Sequence, residues 1–542
     1  MRSPASNLSR AWAWSCSERP ERTVGCAGND AGQEGARGPR GPARLRAREI
    51  HMAEYELATE VFALPYLGQR IVYAPLLDTS LLVNESCLSL LQRIRAGDNI
   101  DDPVGSGAAL ATLLDLGLVL LVDGSRTAKG NEPPGGAAPQ ARDGDKDQDG
   151  VAEPYTPTAC TLFLTTACNL RCRYCYASGG DHPRLMDETV AAAAIDLVVR
   201  NAAAAGASQV PIGFHGGGEP TLAAELLERC VSRARDHCDR AGLSLSAALA
   251  TNGVMSDQTR DFIAENMDSV MLSMDGLPAV QDRLRPRADG RPSFEAVERT
   301  LTSLDGGSCR VGVRMTTTDD SLSGLVGGVR YLVQNYHPDV IQIEPVFVCG
   351  RSLRGGLRPP HPDDFVEVFR TCRALAACHG VPVVYSGART GGASLAFCQA
   401  CAPSFNVTTE GDVTSCYEVV DRSDPRAQTF IFGAYEGSSG SFRFDEPRIR
   451  ELRRLTVDNA PRCSRCFAKY NCAADCPAKR LYPGSTQAAT YRCLINRQLT
   501  QDQLEEGLLG ATETISLLAH QHGEDGRGIV DGPAALETEG TQ

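Results

Sequence analysis

The sequence predicts an α/β fold: six strand–helix repeats whose parallel sheet curls toward a partial (β/α)6 barrel, with a small domain before it and a cysteine-rich segment after it. Three observations carry this expectation. Between residues 158 and 380 short β-branched runs alternate with amphipathic helical stretches, and strands joined through helices lie parallel in one sheet. Eight of the 21 cysteines fall between Cys398 and Cys493, where periodic patterning fades. Two stretches, 1–51 and 123–157, show no apolar period and separate the patterned parts.

A chain of 542 residues suggests several domains, and 42% hydrophobic residues can supply their cores. Lys plus Arg number 54 against 67 Asp plus Glu, a net charge of −13. That balance argues against nucleic acid as the main partner, because phosphate binding wants a basic face. The longest apolar run, 109–122, is interrupted by Asp115 and is too short to span a bilayer, so no membrane association is expected. A secreted disulfide protein would be short and would carry an apolar signal segment, but the one candidate, 11–16, is only a few residues long. The cysteines therefore read as metal ligands in a reducing, cytoplasmic compartment.

In chain order, residues 1–51 hold nine Arg and no Lys and read as a disordered extension. Residues 52–122 read as a small domain. It has strands at 62–67 and 70–74 about a Gly68-Gln69 turn, an amphipathic helix over 80–94, and a helix running into a strand over 108–122. Residues 123–157 read as a flexible linker. Within it, 145–150 begins like a calcium loop, but loop position twelve is Thr156 and not the bidentate Glu, so a solvated acidic linker is the reading. The repeats follow over 158–380, with strands at 160–165, 210–215, 243–250, 269–274, 310–316 and 340–347. Helices are expected at 187–204, 222–241, 257–265, 294–304, 321–334 and 363–379. An irregular cysteine-rich segment spans 381–500, and a last helix, about 498–519, leads a polar tail within 501–542.

The first strand is followed by Cys168-x3-Cys172-x2-Cys175, on the strand end where parallel βα barrels place active sites. Three thiolates can hold three irons of a [4Fe–4S] cluster and leave the fourth iron open to a chelating molecule. Zinc and redox thiols remain as alternatives, although structural zinc wants four ligands and the nearest further candidate, His182, lies beyond Gly179-Gly180. The cysteine triad, with Tyr174 before its last member, resembles the signature of the radical S-adenosylmethionine (SAM) superfamily. Later strand ends agree in order. Gly216-Gly217-Gly218-Glu219-Pro220 resembles that family's Gly-Gly-Glu motif, and Thr251-Asn252-Gly253 ends the third strand. Ser273-Met274-Asp275-Gly276, then Asp282 and Arg285-Pro286, resembles a run of the peptide-modifying branch, with Leu277 placed ahead of Pro278. The resemblance implies a radical SAM barrel with a cluster on Cys168, Cys172 and Cys175. It implies SAM contacts from Gly217, Gly218, Glu219, Asn252, Ser273, Asp275 and Arg314. Glu219 is expected to accept the SAM ammonium, Ser273 to bond its ribose and Arg314 to pair its carboxylate.

Cys401, Cys416, Cys463, Cys466, Cys472, Cys476 and Cys493 resemble the seven-cysteine motif of the SPASM domain, with Cys398 as an extra upstream ligand. The resemblance implies two auxiliary [4Fe–4S] clusters, one on Cys398, Cys401, Cys416 and Cys476, the other on Cys463, Cys466, Cys472 and Cys493, three clusters in all. A pair of structural zinc sites is the alternative. Sulfatase-maturing members carry an Asp base directly after the cysteine matching Cys416; Tyr417 and Glu418 stand there instead and are the candidate catalytic residues. Cys349, just after the sixth strand, is the remaining thiol nearest that face. Residues 55–122 loosely resemble small winged-helix-like domains that capture a leader peptide by strand addition.

The expectation is thus an oxidoreductase that modifies a ribosomally made precursor peptide, forming a thioether or carbon–carbon crosslink, and is reduced by a flavodoxin- or ferredoxin-type donor. Other readings are a maturase or dehydrogenase of a protein or small molecule, and a non-catalytic iron–sulfur redox protein. The last has no use for a SAM grip.

Overall fold

A computed structural model describes residues 54–122 (apart from 99 and 101–102), 154–389, 392–483 and 486–510. The expectations for 1–51, for the linker up to 153 with its acidic loop, and for the tail beyond 510 lie outside the described residues. The chain forms two compact units, one carrying 54–122 and the other 154–503.

Among the described residues the small unit has five strands: β1 (Glu54–Leu57), β2 (Phe62–Tyr66), β3 (Gln69–Ala74), β4 (Thr79–Val83) and β5 (Val119–Val122). β1 pairs antiparallel with β5, and β2, β3 and β4 form an antiparallel sheet. Helices Glu85–Ala96 and Pro103–Asp115 bury Leu88, Leu91 and Leu113 in a core shared with Val72, Leu81 and Val83. The helix expected over 80–94 is corrected here. Residues 80–83 belong to β4, and the helix begins only after Asn84, whose side chain accepts from the Cys87 N–H at 2.9 Å. A short apolar run such as Leu81-Leu82-Val83 fits either period, and pairing with β3 decides it.

In the large unit β6 (Cys160–Phe163), β7 (Gln209–His215), β8 (Ser244–Thr251), β9 (Ser269–Ser273), β10 (Arg310–Thr317), β11 (Val340–Pro345) and β12 (Val383–Val384) lie parallel in that order. Side chains alternate across this sheet. Leu162, Phe214, Leu272, Val313 and Ile343 are fully buried in one core with Ile195, Leu227 and Leu301 of the covering helices. Phe163, His215, Ser273, Arg314 and Glu344 occupy the opposite, inner face. The sheet does not close. Its β6 edge is continued by β13 (Asn406–Val407), parallel to β6, and then by antiparallel β14 (Asp412–Thr414), β15 (Ile431–Glu436) and β16 (Ser441–Phe444).

The cysteine-rich segment is therefore not wholly irregular: it caps the sheet's edge. Its first two strands are too short to show a period. The last helix, expected near 498–519, is Thr486–Gly510, and its polar first turns hid the start. Among the described residues no helix is long and apolar enough to cross a membrane.

A buried ionic clamp joins the cysteine-rich segment to the barrel. Arg492 Nε donates to both carboxylate oxygens of Asp475, at 3.0 and 2.8 Å, and Arg492 Nη1 lies 3.7 Å from Glu344 Oε2 on β11. Glu344 Oε1 accepts from Gln342 Nε2 at 3.0 Å and from the Ser386 N–H at 2.9 Å. Burial alone would raise the pKa of Glu344, but Arg492, with Lys479 and Arg314, holds it below the ordinary range.

Replacing Arg492 by Met leaves two buried carboxylates without their cation. The expected cost is about 3–5 kcal/mol of folding stability near neutral pH, read by denaturant unfolding at matched metal content. Because the folded Glu344 pKa is depressed, its share of the stability is present above about pH 4 and is lost as pH falls through the folded value. A cost below about 1 kcal/mol would place the clamp among surface-like ion pairs.

Candidate functional site

The chain leaves β6 and turns through the loop carrying Cys168, Cys172 and Cys175. That loop lies directly on the glycine-rich loop after β7. The Gly218 N–H donates to Thr165 O at 3.1 Å and the Glu219 N–H to Ala167 O at 2.7 Å. A Cβ on Gly218 would stand 2.1 Å from the Ala167 carbonyl oxygen, so only glycine permits this approach. Behind the cysteine loop, Gly350 has φ +55° and a Cβ there would meet Tyr176 O at 2.4 Å. Arg351 then donates to Cys172 O at 3.1 Å, Gly179 O at 3.0 Å and Asp181 Oδ1 at 2.7 Å. The Leu170 and Gly179 N–H groups point at the Sγ atoms of Cys168 and Cys175, each at 3.5 Å.

Several of the residues expected to contact SAM also brace the loops around the site. Glu219 is 2% exposed. Its Oε1 accepts from Thr221 N at 3.2 Å, Thr221 Oγ1 at 2.9 Å and Thr251 Oγ1 at 2.7 Å, and its Oε2 from Asn252 N at 2.6 Å. Burial pushes its pKa up while these donors favour the anion. The carboxylate locks the end of β7 to the end of β8, and its Oε2 accepts a single hydrogen bond among the described residues. Asn252 Nδ2 donates to Asn169 Oδ1 at 2.9 Å and lies 3.7 Å from Cys168 Sγ. Asp275 is likewise taken up, accepting from the Thr316 N–H at 2.9 Å and from the Tyr174 hydroxyl at 2.5 Å. Arg285 Nη1 donates to that same Tyr174 oxygen at 2.7 Å.

Ser273 and Arg314 are register partners on β9 and β10, so both side chains lie on the inner face. Ser273 is half-buried and Arg314 exposed. Tyr417 stacks on His215 with ring centroids 4.8 Å apart, and its hydroxyl lies 3.5 Å from Thr161 Oγ1. Burial, then the Arg314 charge, pulls the His215 pKa down to about 4, so its ring is neutral at pH 7. Its Nδ1 accepts the Gly216 N–H at 2.8 Å, which puts the ring proton on Nε2. Glu418 Oε2 lies 3.2 Å from Arg426 Nη1, and Asp424 grips the same guanidinium.

The cysteines gather into three sets. Cys168, Cys172 and Cys175 feel one another's charge at the end of β6. Cys398, Cys401, Cys416 and Cys476 act on each other beyond it, and so do Cys463, Cys466, Cys472 and Cys493. Burial pushes Cys168 up to about 11 and Cys172, Cys398 and Cys476 up to about 12, so binding a metal there must release protons. Cys349 is buried, and its thiol is pushed to about 12. Among the described residues every cysteine is free of disulfides, and no three His, Cys, Asp or Glu side chains close around one metal ion. Sequence reasoning missed Asn169, Arg285 and Arg351 as loop braces. Asn169 and Arg285 stood beside recognised motifs, whereas nothing local marked Arg351.

Gly218→Ala is expected to force the two loops apart, because the added Cβ meets backbone and not a movable side chain. Anaerobically reconstituted protein should lose about four irons, one cubane, and keep its far-UV circular dichroism. Retention of full iron and SAM cleavage would show that the close approach is dispensable.

Comparison with known proteins places this geometry. Residues 162–317 match the family model of the Radical SAM superfamily. The chain is 29% identical over 174 residues to the sporulation killing factor maturation protein SkfB of Bacillus subtilis, covering 32% of this chain and 38% of that protein. It is 26% identical over 214 residues to the serine-type anaerobic sulfatase-maturating enzyme of Klebsiella aerogenes, covering 38% of this chain and 51% of that protein. The chain thus spans about half or less of the length of these curated relatives. The solved structure of native anSMEcpe with bound AdoMet superposes with a TM-score of 0.50 at 18% identity, covering 67% of this chain and 100% of that one, a likeness of fold. The parallel strand order, the cysteine loop seated on the glycine loop at the end of β6, and the match across 162–317 together identify residues 162–317 as a radical SAM domain.

Proposed function

We propose that this protein is a radical SAM peptide maturase with one SAM-binding [4Fe–4S] cluster and two auxiliary clusters. The observation that carries the reading is the partition of the thiols: three at the end of β6, and two sets of four in the cysteine-rich segment. Three ligands leave one iron of a cubane open, and four do not. The residues present fit such groups. Backbone N–H donors aim at Cys168 and Cys175, and Asn496 Nδ2 lies 2.9 Å from Cys472 Sγ, a donor set suited to anionic sulfur. A cluster with SAM bound supplies one-electron reductive cleavage of SAM to methionine and a 5′-deoxyadenosyl radical that removes a substrate hydrogen atom.

The chain's own residues hold and orient these partners. Gly218 lets the backbone approach closely, whereas a Cβ on Gly217 would make only ordinary 3.6 Å side-chain contacts, and Glu219, Asn252 and Asp275 keep the loops in register. Ser273 and Arg314 present a hydroxyl and a cation from the inner face for the polar ends of SAM. Glu418, two residues past Cys416, is the group we assign to accept the substrate proton: Arg426 holds one oxygen, and Oε1 has no hydrogen bond among the described residues. Tyr417, stacked on a neutral His215, walls that space.

The relatives named for maturation of a killing factor and of sulfatases support a peptide or protein substrate. Tyr417-Glu418 in place of Asp favours a substrate other than a sulfatase, with a thioether or carbon–carbon crosslink as product. The small unit offers strand edges at β2 and β4 for a leader peptide. An acidic flavodoxin- or ferredoxin-type protein would supply the electron.

Reconstituted protein should hold about twelve irons, and the triple Ala variant of Cys168, Cys172 and Cys175 should lose about four. Two to four zinc ions and no iron would sink the reading. Glu418→Gln should release 5′-deoxyadenosine at near wild-type rate while modified peptide, followed by mass spectrometry, falls about a hundredfold or more, the usual range for losing a general base. Deleting residues 1–122 should spare SAM cleavage yet abolish turnover of the cognate precursor, because leader capture raises the local concentration of the core peptide. Equal peptide turnover by both proteins would refute leader binding by the small unit.

A further inference from the structure

We propose that Arg389 bridges the two four-thiol sets and raises the reduction potentials of both auxiliary clusters. The proposal rests on the reading that both sets carry clusters, and adds the residue that couples them. Arg389 is fixed in place from three sides. Its Nη1 donates to Phe397 O at 2.7 Å, its guanidinium carbon sits 5.0 Å from the centroid of the Phe397 ring, and its own carbonyl accepts from Asn471 Nδ2 at 2.9 Å. Phe397 immediately precedes Cys398, and Asn471 immediately precedes Cys472, so each anchor adjoins a ligand of a different set.

The remaining nitrogens are unmatched. Arg389 Nε and Nη2 are sealed from solvent and have no hydrogen-bond partner among the described residues. Donors buried without acceptors cost stability, more so on a charged group. An anion is therefore expected where they point. The negative groups acting on the guanidinium are Cys472 of one set, Cys398 and Cys401 of the other, and Asp475. Asp475 is already engaged by Arg492. Cluster and cysteine sulfurs, which carry negative charge when iron is bound, are left to accept from Arg389. A cation and N–H donors beside a cluster favour its reduced, more negative state, and so move its potential upward. Because the neighbours belong to both sets, one side chain acts on both potentials. This placement suits two clusters that accept an electron in turn. It adds no chemical step of its own.

The test is a redox titration followed by electron paramagnetic resonance. It uses the full-length reconstituted chain carrying the triple Ala replacement of Cys168, Cys172 and Cys175, so that only the auxiliary clusters report. With Arg389→Met, both midpoint potentials should move to more negative values at unchanged iron content. Arg389→Lys, which keeps the charge but not the planar fork, should move them less. In the otherwise wild-type chain, SAM cleavage driven by dithionite should be unchanged by Arg389→Met, since the first cluster lies outside this arrangement.

Unchanged potentials at full iron would overturn the proposal, and a shift confined to one cluster would overturn the bridge. Loss of iron from both the Met and the Lys variants would make Arg389 a structural prop and refute the tuning role. Should the parent chain with intact Cys168, Cys172 and Cys175 hold only about four irons, the auxiliary-cluster reading fails and takes this one with it. About twelve irons with immobile potentials fails Arg389 alone.

Discussion

The site depends on one contact between two stretches of backbone. The loop bearing Cys168, Cys172 and Cys175 belongs to no helix or strand; it lies on the loop after β7 and is also tied to 284–288, with Arg171 N–H to Pro286 O at 2.7 Å and Arg173 N–H to Leu284 O at 2.8 Å. Two hydrogen bonds, Gly218 N–H to Thr165 O and Glu219 N–H to Ala167 O, join the loops as though they were adjacent strands. They form only because position 218 has no side chain. Further braces extend this contact. Glu219 carries it sideways to β8, Asn252 returns it to Asn169, and Arg351 closes the loop from behind.

Buried carboxylates serve this protein chiefly as joints. Glu219, Asp275, Glu344 and Asp475 are each nearly inaccessible, and each is met by several donors or by an arginine. Burying a carboxylate is costly unless its charge and lone pairs are matched, and a matched carboxylate resists rearrangement because any motion exposes that cost again. The proposed radical chemistry gives such joints a use: a reactive intermediate would have to meet one hydrogen atom of its substrate, and a rigid surround would keep that geometry while excluding water. The same device, in the form of Arg492 between Asp475 and Glu344, fixes the cysteine-rich segment on the barrel.

Much of this was legible in the chain. The six strand–helix repeats fall close to their expected positions because each strand is long enough to show its apolar run and each helix its period. The ends of strands one to four carry Cys168, Glu219, Asn252 and Asp275 to one end of the sheet, as expected from parallel order. Legibility fails where an element is short or ambiguous. Leu81-Leu82-Val83 fits a helix as well as a strand, β13 and β14 have too few residues to show alternation, and the polar start of helix Thr486–Gly510 has no stripe to read.

By itself the sequence determined which atoms are available: eleven cysteines in ligand-like spacing, a Gly-Gly-Glu turn, and a parallel α/β scaffold to present them. Spacing along a chain reports local geometry, and local geometry is what a three-cysteine loop or a glycine turn needs. Only the tertiary structure decided which way Glu219 and Asp275 turn, that Arg351 reaches the cysteine loop from far along the chain, and that Arg389 keeps two buried nitrogens unmatched among the described residues. Those outcomes depend on long-range burial and on which charges are left to meet in the interior. A side chain's partners there are set by the packing of segments hundreds of residues apart, which no local pattern encodes.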